Sequence, residues 1–219
     1  GKLSALKLRK LLEEHYSDPS REHMVQPGAV YISFPTELGA LYTKQELLAI
    51  RQVCNECSIP LFIDGARLGY GLASKYCDLS MEDIADIADV FYIGGTKQGA
   101  LFGEAVVFPN TKYAKDFRYL IKQGGGMLAK GRLLGIQFET LFENGLYLKL
   151  AERADTLAAR LQDAFCEAGY PLLTKSPTNQ VFPIFTSQQY TEFDRHFGDI
   201  CLALQNLCRH FAGRAVYEK

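Results

Sequence analysis

No stretch of the 219-residue sequence approaches the roughly 20 consecutive apolar residues that a membrane-spanning helix requires. Nor is either charge in excess: 24 Lys and Arg face 25 Asp and Glu, a formal net charge of -1. That balance removes the basic footprint of a nucleic-acid binder and argues against an acidic tail. The opening Gly1-Lys2-Leu3-Ser4 lacks the charged-then-apolar order of a secretory signal, so a cytoplasmic location is expected. Internal repeats and low-complexity tracts are missing too. His15, His23, His196 and His210 show no paired-ligand spacing, and no metal site is expected. Of six cysteines (Cys54, Cys57, Cys77, Cys166, Cys201, Cys208) only Cys54 and Cys57 have C-x-x-C spacing. No second pair completes a zinc site, and this one falls inside a helical run rather than at a helix start, where a thiolate would be stabilised. Free structural thiols are expected. What remains is 47% hydrophobic and 22% charged, an ordinary globular composition. At roughly 150 residues per domain, the length suits one large domain or one domain with a partner lobe.

The pattern alternates. Leu3, Leu6, Leu8, Leu11 and Leu12 recur at helical spacing and predict a helix ending near His15. Breakers from Ser17 to Gly28 predict a loop. Ala29 to Phe34, Pro60 to Ile63, Val90 to Ile93 and Glu104 to Phe108 are short apolar runs bounded by turn residues, hence strands. Thr43 with Glu46 three residues on predicts a capping box for a helix to about Cys57. A mixed helical region fills the gap to Ala88. Strands alternating with helices imply parallel pairing in an open α/β sheet covered on both faces. Beyond Phe108 helices are predicted over Thr111 to Ile121, Leu128 to Phe142, Leu146 to Ala168 and Gln188 to Phe211, with one strand candidate, Gln180 to Phe185. The expected division is residues 1–145 as a large domain and 146–219 as a smaller α+β lobe.

Ligands of such sheets bind beyond the carboxyl ends of the strands. Asp64 and Lys97 lie there. A lysine in the turn Gly94-Gly95-Thr96-Lys97-Gln98-Gly99 is expected to be partly desolvated, which favours the neutral amine that forms Schiff bases. The competing reading is an ordinary turn lysine with its ammonium in water. A phosphate loop does not fit, because Gln98 follows the lysine, and G-x-G-x-x-G does not occur. Asp64 is either a helix N-cap or the partner of a protonated pyridine nitrogen. Arg67 offers a planar fork to a carboxylate, or pairs with Asp64 itself.

Leu61-Phe62-Ile63-Asp64-Gly65-Ala66-Arg67, Phe91 to Lys97 and Leu101 to Phe108 together resemble the central block of the low-specificity L-threonine aldolases. These are fold-type I pyridoxal phosphate enzymes, related to the β-eliminating lyases. The resemblance extends back through Tyr31 to Gly39 with Tyr42-Thr43, and forward through Phe117-Arg118-Tyr119, Lys122 to Met127 and Thr178 to Pro183. It implies a transferase-like, mostly parallel sheet with helices on both faces, and pyridoxal 5'-phosphate as cofactor. Lys97 would carry the cofactor and Asp64 would hold its ring nitrogen protonated. Thr96 would offer its hydroxyl to the phosphate, and Arg67 would bind the substrate carboxylate or support the ring site. Thr36 and Glu37 would face the ring. The implied reaction is retro-aldol cleavage of a β-hydroxy-α-amino acid to glycine and an aldehyde. Another fold-type I activity, or a catalytically silent chain, are the alternatives. The implied assembly is a homodimer or homotetramer with active sites at subunit interfaces, the Lys122 to Gly126 segment approaching the partner. The family's glycine-rich phosphate cup and stacked ring have no counterpart here, and the chain begins at Gly1, so an upstream piece is expected. The family's second carboxylate-binding arginine lies on a later strand; Arg209 and Arg214 are the only arginines near the end here, and neither has that context.

Overall fold

In a computed structural model, residues 1–197 are described. Helix α1 (Ala5–Ser17) starts where the Ser4 hydroxyl accepts the Lys7 amide at 3.2 Å. Of its leucines only Leu8 and Leu12, four residues apart on one face, reach the core; Leu6 and Leu11 are exposed. Strand β1 (Val30–Ser33) follows, then α2 (Lys44–Glu56), whose Thr43–Glu46 capping box forms as expected. Such a cap is worth about 1 kcal/mol. Helix α2 buries Leu47, Ile50, Val53 and Cys54. Strand β2 (Leu61–Asp64) leads into α3 (Leu68–Ala73) and α4 (Met81–Ile87). Helix α4 has a second capping box, between Ser80 and Asp83. Strands β3 (Val90–Gly94) and β4 (Glu104–Val107) complete a sheet of order β1-β2-β3-β4.

Strands β1, β2 and β3 pair in parallel, as the alternation predicts; β4 runs antiparallel to β3. The physical reason is the short link. A parallel return needs a crossover of about a dozen residues or more, usually a helix, whereas residues 95–103 form only a turn. The sheet is therefore mixed. Its two faces differ sharply. Val30, Ile32, Leu61, Ile63, Phe91 and Ile93 point into the core cluster with α1, α2 and α4 residues. Tyr31, Phe62, Asp64 and Tyr92 lie on the other face, where the Tyr31 and Phe62 rings stack at 5.2 Å. Each fully buried Leu or Ile contributes about 1.5–3 kcal/mol, so the first face supplies the stability.

Helices α5 (Phe117–Gln123), α6 (Arg132–Phe142), α7 (Leu146–Glu167) and α8 (Ser187–Phe197) follow. The chain forms two compact units, one of Gly1–Leu161 with Thr174–Val181, the other of Gln162–Leu173 with the described part of Phe182–Lys219. The strand expected over Gln180 to Phe185 does not form. Pro183 has no amide to donate, and only an isolated antiparallel bridge, Leu172 to Pro183, is made. Of that run, Phe185 instead joins an aromatic group with Phe165 and Tyr170 in the second unit. The later part of the helix expected to Phe211, together with Cys201, Cys208, Arg209 and Arg214, lies outside the described residues.

Candidate functional site

The carboxyl ends of β2 and β3 touch backbone to backbone. A Cβ on Gly65 would fall 1.9 Å from the Tyr92 carbonyl oxygen, and one on Gly94 2.3 Å from that of Ala66. Glycine is required at both. The Gly94 amide donates to the Gly65 carbonyl at 2.8 Å, fixing the two strand ends side by side. This contact brings Asp64 and Lys97 to one place.

Asp64 is half-buried and well supplied with donors. Its Oδ1 accepts the Tyr92 hydroxyl and, at 2.9 Å, the Ala66 amide; its Oδ2 accepts the Tyr31 hydroxyl. Burial pushes the carboxyl's pKa up. The two phenols, the Ala66 amide and the nearby Lys97 ammonium outweigh it, so the pKa lies below the ordinary carboxylate value. The N-cap alternative is not what forms. Asp64 closes a turn onto Ala66, and α3 begins at Leu68 with no side-chain cap.

Lys97 itself is exposed, which corrects the expectation of a desolvated amine. Its neighbour Gln98 takes the buried place, and the turn holds the lysine outward. The turn is held from several sides. The Gln98 amide donates to Gly95 O at 2.9 Å, its side-chain Nε2 to Tyr147 O at 3.0 Å, and the Tyr70 hydroxyl to Lys97 O. Tyr147, 1% exposed at the start of α7, donates its hydroxyl to Gly94 O at 3.1 Å, with the Gly69 amide close by. Burial raises the Tyr147 phenol pKa far above its usual value, which keeps the donor protonated. Glu104 on β4 accepts the Gly95 amide at 2.8 Å and the Thr96 hydroxyl at 3.1 Å. Thr96 thus braces the turn through Glu104.

Arg67 does not pair with Asp64. Its guanidinium lies 3.6 Å from Glu37, on the loop after β1. Thr36 anchors that loop by accepting the Ala40 amide at 3.0 Å, and Gln180 Nε2 donates to Glu37 O at 2.7 Å. Thr36 and Glu37 therefore reach the same strand-end region as Arg67. Tyr31, Tyr92, Tyr70, Gln98, Glu104 and Tyr147 went unnoticed in the sequence. For Tyr31 and Tyr92 a signal existed: with Phe62 they share the period-2 face that carries Asp64, once the register is known.

Cys54, Cys57, Cys77 and Cys166 are free thiols. Burial raises the Cys54 pKa to about 11, the opposite of a reactive thiolate. Among the described residues no group of three or more His, Cys, Asp or Glu side chains could hold a metal ion, and no helix is long and apolar enough to cross a membrane.

A low specificity L-threonine aldolase of a Pseudomonas species is 35% identical over 161 residues, covering 73% of this chain and 46% of that protein. Its counterpart from Pseudomonas aeruginosa is 32% identical over the same length. The chain spans about half the length of these curated relatives. Among solved structures, the threonine aldolase of Leishmania major superposes with a TM-score of 0.84 at 44% identity, over 89% of this chain and 56% of that one. Cystalysin from Treponema denticola, which contains pyridoxal 5'-phosphate, shares the fold with a TM-score of 0.61 at 16% identity, over 89% and 50%. The family model described as "Beta-eliminating lyase" matches residues 1–188, and the chain belongs to that family.

Proposed function

We propose that this chain serves a pyridoxal phosphate-dependent lyase that cleaves β-hydroxy-α-amino acids, L-threonine or L-allo-threonine, to glycine and an aldehyde by retro-aldol chemistry. The observation that carries the reading is the pairing of Asp64 with Lys97 across two strand ends joined by the Gly65–Gly94 contact. The names of the relatives support it.

The described residues suit the cofactor's ring and aldehyde. An ionised, half-buried carboxylate stands beside an exposed lysine amine, the pair that a protonated pyridine and a carbonyl require. Pyridoxal phosphate, when bound, supplies a ring that accepts the electron pair of a breaking bond at the amino-acid Cα. Lys97 would hold it covalently through its amine, and Asp64 would keep a proton on the ring nitrogen. Thr96 would offer its hydroxyl to the phosphate on leaving Glu104. Arg67 would take the substrate carboxylate with its fork, on exchanging Glu37, and so fix the substrate's orientation. A base would take the β-hydroxyl proton, the electron pair left on that oxygen would form the aldehyde's C=O as the Cα–Cβ bond breaks, the electrons of the broken bond would go to Cα, and a proton returned there would yield glycine.

The assembly proposed is a homodimer or homotetramer with active sites at the interface. Tyr119, Leu120, Leu128, Leu133, Ile136 and Phe142 are exposed along α5, α6 and their link, an apolar excess of the kind that marks interaction surfaces. Lys122 and the Gly124–Gly126 turn lie within this stretch. The domain boundary proposed at 145/146 falls beside the left-handed Asn144 (φ 53°) between α6 and α7, whereas the first compact unit runs on to Leu161; limited proteolysis tests it. A cytoplasmic location is supported by the free thiols.

The test is direct. Protein mixed with pyridoxal phosphate is expected to show the visible absorbance of an amine-linked cofactor and to lose it in Lys97→Ala, and to release acetaldehyde from L-threonine. Absorbance that survives Lys97→Ala would overturn the lysine's role. A requirement for a keto-acid acceptor would make the chain a transaminase instead. Sedimentation as a monomer would overturn the assembly.

A further inference from the structure

We infer that Tyr31 and Tyr92 form a phenol clamp on Asp64, leaving one acceptor position, on Oδ2, for the N–H of a bound cationic ring. The inference rests on the proposed role of Asp64 and deepens it. An ionised carboxylate offers about four lone-pair positions. Oδ1 uses two, on the Tyr92 hydroxyl and the Ala66 amide, and Oδ2 uses one, on the Tyr31 hydroxyl.

The direction of those donors matters. In the sheet register Ser33 stands opposite Asp64, so Tyr31 lies two residues back along β1; Ile63 pairs with Phe91, so Tyr92 is the next residue across on β3. Tyr31 reaches Asp64 from further back along the sheet and Tyr92 from beside it on the neighbouring strand, so the position on Oδ2 that neither phenol occupies is the one left open. The charged groups that bear on the cluster are Lys97, which acts on Asp64, and Glu37, which acts on Tyr31.

Two consequences follow for the chemistry. Rotation of the carboxylate would break both phenol bonds, so the free position on Oδ2 keeps its aim. Strong O–H donors also lower the basicity of the carboxylate, so a proton shared between Asp64 and a ring nitrogen stays on the nitrogen. Both phenols remain donors at neutral pH: burial and the Asp64 charge push Tyr31 to about 12 and Tyr92 higher still.

Phenylalanine at either position keeps the ring and removes only the donor, so the Tyr31–Phe62 stack at 5.2 Å survives the substitution. The experiment follows the Asp64 carboxyl carbon by NMR in protein without added cofactor, assigned by its loss in Asp64→Asn. Wild-type Asp64 is expected to titrate below the ordinary value of about 3.9, and the midpoint to rise by about one pH unit or more in the Tyr31→Phe, Tyr92→Phe double variant. An unchanged midpoint in that variant overturns the clamp. If acid unfolds the protein first, the alkaline side decides: in Asp64→Asn, Tyr31 should ionise closer to the usual 10 by absorbance at 295 nm, and an unchanged midpoint again overturns the clamp. With ¹⁵N-labelled pyridoxal phosphate at one pH, the ring nitrogen's shift should move towards that of the unprotonated ring in the double variant, because a more basic carboxylate draws the shared proton towards itself. Because the two titrations need no cofactor, they decide the clamp even if absorbance in Lys97→Ala refutes the proposed function.

Discussion

Two carboxyls in the same compact unit are pushed in opposite directions. Asp64, at the end of β2, is surrounded by three donors and lies below its ordinary pKa. Asp155, on α7, has both carboxyl oxygens sealed from solvent without a hydrogen bond, and burial raises it to about 7. The Asn179 amide lies near enough to lower it somewhat but outside hydrogen-bonding geometry. Burial acts on both in the same sense. What separates them is the supply of O–H and N–H groups, so the donors, not depth, decide which carboxyl carries charge at neutral pH.

Asp89 extends the comparison. It is 8% exposed, deeper by residue than most charged groups in the chain, and still lies below its ordinary pKa, because Arg51, the Leu61 amide and Asn110 outweigh burial. Removing it should give the largest stability loss. Asp89→Ala leaves the Arg51 guanidinium buried without its counter-charge, and breaking such a pair costs about 3–5 kcal/mol, read as a lower urea midpoint at pH 7. A loss below about 1 kcal/mol would mean that the buried pair is solvated. Because the folded pKa is depressed, the stability this group contributes is present above pH 4 and fades as acid protonates it.

Next in size is Tyr147→Phe. It removes the hydrogen bond to the Gly94 carbonyl beneath the Lys97 turn, at about 1–3 kcal/mol. The same variant should weaken retention of pyridoxal phosphate on Lys97, since the turn loses its support. Asp64→Asn keeps the shape and a hydrogen-bond acceptor, so its denaturation midpoint should move less than in Asp89→Ala, while L-threonine cleavage is lost. Retained cleavage would remove Asp64 from the chemistry.

Much of this was legible in the sequence, for reasons that are local. The four strands were bounded by Gly, Pro and Asp, and the Thr43–Glu46 box was a three-residue spacing with one meaning. Asp64 and Lys97 each followed an apolar run, which located them at strand ends. Residues that meet across long separations were not legible. Tyr147 is 50 residues from Lys97 and reads as one more apolar position at the start of a helix. Gln98 looks like a polar turn residue, yet it is 2% exposed because its amide finds the Tyr147 carbonyl. Of the two readings of Lys97, the exposed turn lysine is the one that forms, because the neighbouring Gln98 takes the buried place in the turn. Gln180 to Phe185 was misread because an apolar run bounded by polar residues is not a strand without a partner, and Pro183 removes a donor from the ladder.

Asp155 gives the most specific prediction, since its effect exists on one side of the pH scale only. A carboxyl whose folded pKa stands near 7 against about 3.9 unfolded prefers to keep its proton in the folded state. The stability tied to that preference is complete below pH 4, is lost as pH rises towards 7, and is constant above. Asp155→Asn has no proton to lose. Urea midpoints of wild type and variant should therefore differ by a constant amount below about pH 4, diverge progressively up to about pH 7 in the variant's favour, and run parallel above it. The neighbouring Tyr70 supplies an internal check. Its phenol is raised first by burial and then by the Asp155 charge, and its hydroxyl donates to Lys97 O, so in Asp155→Asn it should ionise at lower pH. Parallel stability curves for the two proteins would show that Asp155 is hydrated or hydrogen-bonded in solution, and the contrast with Asp64 would then reduce to the phenols alone.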